Sequence, residues 1–172
     1  MDRQKGTMTA PLCTLYSSMM DGLKPVSVRP PLNVDANAYV LSAATQAHGS
    51  LLVVSEMLKH SRNFILPRFD EICVAVLKFM KHKLVLIRLE VIRLIPRLAQ
   101  RCPEVYGRKY LTESLQFLIA NASTKKSTSS KSNRIDVKPI AFTSIGLLAL
   151  AMSDESMGGG DITSSSVRIL PI

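Results

Sequence analysis

The side chains in this chain that could carry chemistry are His48, His60 and His82, the cysteines Cys13, Cys73 and Cys102, and a large supply of Ser and Thr. A metal site needs His, Cys or carboxylates at ligand spacing. The cysteines form no C-x-x-C pair and have no His at such a spacing, so they read as reduced thiols, with Cys73 a core residue. The histidines fall on or beside predicted helices without paired carboxylates, which assigns them surface or packing roles. No Ser or Thr has an evident base or a strained G-x-S-x-G turn, so nucleophilic catalysis has no support. Phosphoryl transfer needs a phosphate-cradling loop, a Lys on the nucleotide, a catalytic Asp and metal-holding Asp and Asn residues. No D-F-G motif is present, and the run Gly158 to Asp161 is not followed by the opening of an apolar helix. The expectation is a non-enzyme with no catalytic, cofactor-binding or metal-binding residues.

Charge is the remaining functional signal. The formal net charge is +9, and Lys59 to Lys138 holds 17 Lys and Arg against 6 Asp and Glu. An electrostatic partner would therefore meet the middle of the chain. Nucleic acid is disfavoured, because no aromatic platforms are interleaved with the basic residues and these share their segments with core positions. Arg93, Arg97 and Arg101 recur every fourth residue, which aligns them as a ridge on one helix face. That ridge is the candidate partner-binding site, for an acidic protein surface; the alternative is a solvated edge.

The elements that must position the ridge are helical. Among 172 residues, 47% are hydrophobic, few are aromatic and none is Trp, so the core is aliphatic. The apolar runs are shorter than the ~18 to 20 residues of a membrane span, and the polar start MDRQKGT does not suit a signal peptide. A soluble, cytoplasmic chain is expected. Residues 1–34 read as an irregular segment with a Pro-rich linker, although Tyr16 to Leu23 can be a helix end stopped at Gly22. Asp35 or Asn37 can cap a first long helix to about Lys59, whose apolar face includes Val40, Leu41, Ala44, Ala47, Leu51, Leu52 and Leu58. Gly49 suggests the close approach of another backbone.

A second helix from about Pro67 carries Phe69, Ile72, Cys73, Val76, Leu77 and Met80 on one stripe. The third, about Leu84 to Arg101, is apolar on more than one side, which marks an inner helix between neighbours. Pro96 lies within it and lacks the N–H that would bond the Ile92 carbonyl, so a kink is expected. The fourth, about Val105 to Ala122, turns Tyr110, Leu111, Leu115, Leu118 and Ile119 inward. A polar, basic, low-complexity loop, 123–134, should be mobile. Asp136 can then cap a fifth, almost wholly buried helix, Ile140 to Met152, in which Ala141, Ser144, Gly146, Ala149 and Ala151 permit close packing. The tail 153–172 reads as disordered. The second and fourth helices start about 38 residues apart, close to the period of HEAT and armadillo arrays, ~40 to 47 residues. The predicted fold is an all-α, right-handed, HEAT/armadillo-like α-solenoid of about five helices over 35–152, with a four-helix bundle as the alternative.

HGSLLVVSEML (His48 to Leu58), Phe69 to Met80, RLEVIRLIPRLA (Arg88 to Ala99), Tyr110 to Ile119 and IAFTSIGLLALAM (Ile140 to Met152) occur in that order. Together with MMDGL before the linker, they resemble part of the N-terminal HEAT solenoid of the target of rapamycin kinase family. The hydrophobic-Arg pair Ile87 and Arg88 matches the inner helix of such repeats, where the resemblance implies that Arg88 ties the helix to a neighbouring acidic or carbonyl group. His82 and Lys83 replace the Asp usual before that helix, and the 123–134 loop is longer than is common in the family. The resemblance implies a scaffold segment of a Ser/Thr protein kinase of nutrient and growth signalling, with the kinase domain absent from this sequence. Implied partners are complex components such as Raptor-type subunits, in the cytoplasm or on endomembranes through a complex. A free-standing HEAT adaptor of transport or phosphatase-scaffold type is the alternative.

A solenoid repeat buries its apolar faces against its neighbours, and the sequence offers no amphipathic helix to cover Phe142, Ile145, Leu148 and Met152. Each buried side chain of this size contributes about 1.5 to 3 kcal/mol. The purified chain should therefore self-associate. Sedimentation velocity across a concentration series checks this, and a monomer with a sharp cooperative melt at high concentration would contradict it.

Overall fold

The computed structural model describes residues 10–24, 35–123 and 136–158. The Pro-rich linker, most of the 123–134 loop and the tail from 159 onward lie outside the described residues. Among those described, the chain is all α, with helices α1 (Ala10–Gly22), α2 (Ala36–His60), α3 (Arg62–Ile65), α4 (Phe69–Leu77), α5 (Val85–Arg101), α6 (Pro103–Lys109), α7 (Leu111–Ser123) and α8 (Lys138–Gly158). They form a solenoid-like segment of two layers. In one layer α5 packs against α2 on one flank and α8 on the other, while α1 covers α2, and α6 and α7 cover α8.

Paired contacts show how α2 and α5 are aligned. His48 lies opposite Glu90, and Ser55 bonds Arg97, so both helices advance by seven residues between contacts. They therefore run in the same direction, as stacked repeats must. The other layer is joined through the first turn of α4, where Asp70 and Glu71 also suit the positive end of the helix dipole. The Tyr16 hydroxyl of α1 donates to Glu71 at 2.5 Å, while Lys109 and the Tyr110 hydroxyl donate to Asp70 at 2.5 and 3.1 Å. These bonds hold the Asp70 carboxyl below the usual carboxylate range, with the Lys109 ammonium the main cause. Burial, followed by the bond to Asp70, pushes the Tyr110 phenol up to about 12. Arg68 completes the α1 junction with its guanidinium 5.3 Å from the Tyr16 ring centre and 4.8 Å from that of Phe64.

The helices begin where their sequences supply caps. The Asp35 carboxylate accepts from Asn37 N–H at 3.0 Å, and that of Asp136 accepts from Lys138 N–H at 3.2 Å. At α5, which lacks the acidic cap, His82 Nδ1 accepts from Leu84 N–H at 3.2 Å. Arg88 then turns back to donate to the carbonyls of His82 and Lys83, at 2.7 and 2.9 Å. Ile87, Leu89, Val91, Ile92, Leu94, Ile95, Leu98 and Ala99 are buried around α5, and Pro96 lies inside the helix.

Several expectations are corrected. The N-terminal region is helical from Ala10, and Met19 and Leu23 of this part of the chain are buried. Pro67 opens a short 3-10 turn, Leu66–Arg68, and α4 proper begins at Phe69. The expected fourth helix is two, broken at Tyr110 close after Gly107, a poor helix former. That break places Tyr106, fully buried, with its hydroxyl 2.6 Å from Ser114 Oγ, whereas Ile119 is exposed.

Val40, Leu41 and Leu52 of α2 are exposed, because its buried stripe is Ala44, Ala47, Leu51, Val54 and Leu58, at heptad-like spacing. No neighbour lies near a Cβ placed at Gly49; the close approach is at Gly22, where a Cβ would collide with the Ser50 hydroxyl. Leu84 is also exposed. Among the described side chains of α8 the buried ones are Ala141, Ser144, Leu148 and Ala151, and the helix continues to Gly158. Leu148 is thus covered, while Phe142, Leu147 and Leu150 are exposed and Gly146 faces open space. An apolar sequence all round the helix did not reveal which side its neighbours would take.

Two measurements probe these junctions. Tyr106→Phe leaves the Ser114 hydroxyl without its buried partner and should cost about 1 to 3 kcal/mol in urea unfolding. Adding Ser114→Ala should recover part of that loss; strictly additive effects would show that the two groups do not interact. Burial and the nearby Arg88 guanidinium hold His82 below its ordinary value of 6.5, and the bond from Leu84 requires an unprotonated Nδ1. Because folding favours the neutral ring, its contribution is complete above pH 6.5 and is lost as pH falls through 6.5 toward the lower folded-state value. His82→Asn, which keeps an acceptor but does not titrate, should flatten the urea midpoint across that range.

Candidate functional site

Arg93, Arg97 and Arg101 emerge from the side of α5 that is not committed to the core. Arg93 donates to Glu90 at 2.6 Å, and Arg97 donates to the Ser55 hydroxyl across the α2–α5 contact. Arg93 and Arg97 line a groove of about 640 Å³ between α5 and α8, opposite Ile140, Leu147 and Leu150. Arg97 and Arg101 line a second depression of about 460 Å³ between α5 and α2, beside Leu58 and Lys59. Arg97 and Gln100 border both, so the two are parts of one surface. Pro96 also lines the larger groove.

This surface has two chemistries. Along α5 and the end of α2 stand Arg93, Arg97, Arg101 and Lys59, and among the described residues neither depression is lined by an Asp or Glu. Glu56 lies just outside, held below the usual carboxylate range first by its bond to Lys59, with Arg97 contributing. Along α8, Leu147 and Leu150 present half or more of their surface to solvent. The ridge was visible in the spacing of its arginines. Lys59, Gln100, Leu147 and Leu150 were not, because their membership depends on which helices lie beside α5. The excess of apolar residues around α8, more than one face can bury, was the available signal.

Other chemistry-bearing groups lie apart from this surface. Among the described residues no group of three His, Cys, Asp or Glu is placed to hold a metal ion. Cys73 is buried, and burial pushes its thiol well above the ordinary range, which leaves little thiolate for reaction. His60 sits 3.7 Å from Glu56 as an exposed pair on α2. Arg88 is engaged with the carbonyls before α5, away from both depressions. No helix among the described residues is long and apolar enough to cross a membrane.

No protein-family model matches the chain. No solved structure matches it either. Curated relatives do. The chain is 33% identical over 72 residues to the serine/threonine-protein kinase TOR of Arabidopsis thaliana, a match covering 42% of this chain and 3% of that protein. It is 27% identical over 108 residues to the serine/threonine-protein kinase TOR of Oryza sativa subsp. japonica, covering 63% of this chain and 4% of the relative. Over 109 residues it is 28% identical to the serine/threonine-protein kinase TOR2 of Saccharomyces cerevisiae, again 63% of this chain and 4% of the relative. The chain thus matches only a few per cent of the length of each, and what it resembles is a short stretch of the TOR serine/threonine-protein kinases of plants and yeast.

Proposed function

We propose that this chain is a HEAT-type interaction scaffold of TOR signalling, acting by binding other proteins and not by phosphoryl transfer. The observation that carries the reading is the resemblance to three TOR kinases over a part only a few per cent of their length. This chain folds as stacked helices with one continuous layer, α2, α5 and α8. Such a layer offers an extended surface for partners, and no kinase motif accompanies it in the sequence. Residues 35–152 form the interaction unit, with α1 packed on its first helix. The Arg93, Arg97 and Arg101 ridge is its partner-facing edge, Raptor-type complex subunits are the class of partner, and the cytoplasm is its place of action, on endomembranes when carried by a complex.

Tagged chain expressed in cells should coelute with a TOR-type kinase at high mass in size-exclusion chromatography, and the purified chain should transfer no phosphate from ATP to protein substrates. Elution as a free species, with no TOR kinase in its fractions, would overturn the reading in favour of a separate HEAT adaptor.

A further inference from the structure

We infer that the bend leading into α5 is a docking surface for an anionic membrane, on which the chain sits without crossing the bilayer. The scaffold reading above reaches membranes only through a complex; this surface goes beyond it, by direct contact with lipid. Leu84, Val85 and Leu86 are consecutive, and all three are exposed. A run of three exposed aliphatic residues is unfavourable in water and is kept where it serves a function. The fold does not call for it. Leu84 holds the N-cap position of α5, where Ser, Thr, Asp or Asn serves best, and it makes no side-chain capping bond. His82 and Arg88 supply the bonds of the bend instead.

Helix α2 adds to the same surface. Because α2 and α5 run in one direction with His48 opposite Glu90, the positions one heptad earlier, Leu41 and Lys83, stand at the same height. Val40 and Leu41 are 63% and 66% exposed, so the aliphatic patch continues from one helix to the next. Lysines frame it. Lys78, Lys81 and Lys83 are exposed, and among the described residues none of them is in an ion pair. Residues 35–41 and 78–86 hold these three lysines and one acid, Asp35, whose carboxylate accepts from the Asn37 N–H of its own helix cap.

Free ammonium groups beside protruding aliphatic side chains match the interface of an anionic bilayer. The lysines meet lipid phosphates and carboxylates, while the hydrocarbon takes up Leu41, Leu84, Val85 and Leu86. A bend between two helices turns its side chains outward, and a fluid bilayer accommodates such a surface without a complementary pocket. Arg88 holds the carbonyls of His82 and Lys83 at 2.7 and 2.9 Å, so the bend is fixed before it meets lipid and little ordering remains to oppose binding.

Flotation of the full chain with vesicles tests this. The chain should float with phosphatidylcholine vesicles containing about one-third phosphatidylserine, and much less with phosphatidylcholine alone. Leu84→Ser with Leu86→Ser leaves every charge in place and should weaken binding about tenfold or more. Lys81→Ala with Lys83→Ala should weaken it comparably, at about fivefold per lysine near an anionic surface. Lys24→Ala with Arg108→Ala removes the same charge from other parts of the chain and should have a much smaller effect. Circular dichroism verifies that each variant remains helical.

Undiminished binding by the leucine variant would overturn the inference, since attraction by a chain of net charge +9 then accounts for the result. Equal weakening by the two charge variants would overturn it as well. So would a wild-type chain that stays with the soluble fraction, which leaves the bend to a protein partner. Flotation is read without any TOR kinase present, so its failure leaves the scaffold reading standing, and absence of coelution leaves the lipid contact standing.

Discussion

Helix α5 carries apolar side chains around most of its circumference, and a helix of that kind persists in water only when neighbours cover both flanks. Ile87, Val91, Ile92, Ile95 and Leu98 are almost fully removed from solvent, at about 1.5 to 3 kcal/mol apiece. Supplying that cover sets the rest of the architecture. Helix α2 lies along one flank and α8 along the other, and the covering helices pack behind them. Beyond its exposed first turn at Val85 and Leu86, α5 leaves to solvent mainly the strip that carries the arginines. Core and candidate binding surface are therefore two consequences of one burial requirement.

The corner before α5 is fixed by local bonds. A helix that starts inside a packed array needs acceptors for its first N–H groups and a fixed entry angle. Here the His82 imidazole accepts from the backbone N–H of Leu84, the residue that opens α5, and Arg88 clamps the preceding carbonyls from within the helix. Because that bond needs an unprotonated Nδ1, the corner weakens as pH falls below 6.5.

The two layers are joined by different kinds of force. The layer of α2, α5 and α8 relies on aliphatic burial with few specific bonds, which tolerates small shifts between helices. The other junction relies on Asp70 and Glu71, each reaching a different neighbour from the first turn of α4. Such exposed bonds add little free energy, but they set register between successive outer helices. A solenoid-like segment of this design holds its repeats in order while leaving grooves along α5 open to solvent.

What the sequence determined by itself follows from periodicity and local bonding. The all-α class, the long helix after Asp35, the two-sided character of Arg88 to Ala99, the cap at Asp136 and the four-residue spacing of the arginines are properties of neighbouring residues along the chain. Tertiary structure decided the matters that depend on residues far apart in sequence. Val40, Leu41, Phe142 and Leu150 are as apolar as Leu51 and Leu148, yet the former are exposed and the latter buried, because helix packing selects one face and composition cannot. The break at Tyr110 likewise brings together groups far apart in sequence, with the Tyr106 hydroxyl beside Ser114 and the Tyr110 hydroxyl on Asp70, 40 residues away. The arginines could be read as a ridge from the chain alone; only the placement of α8 beside α5 opposed Arg93 and Arg97 to Leu147 and Leu150 across a groove.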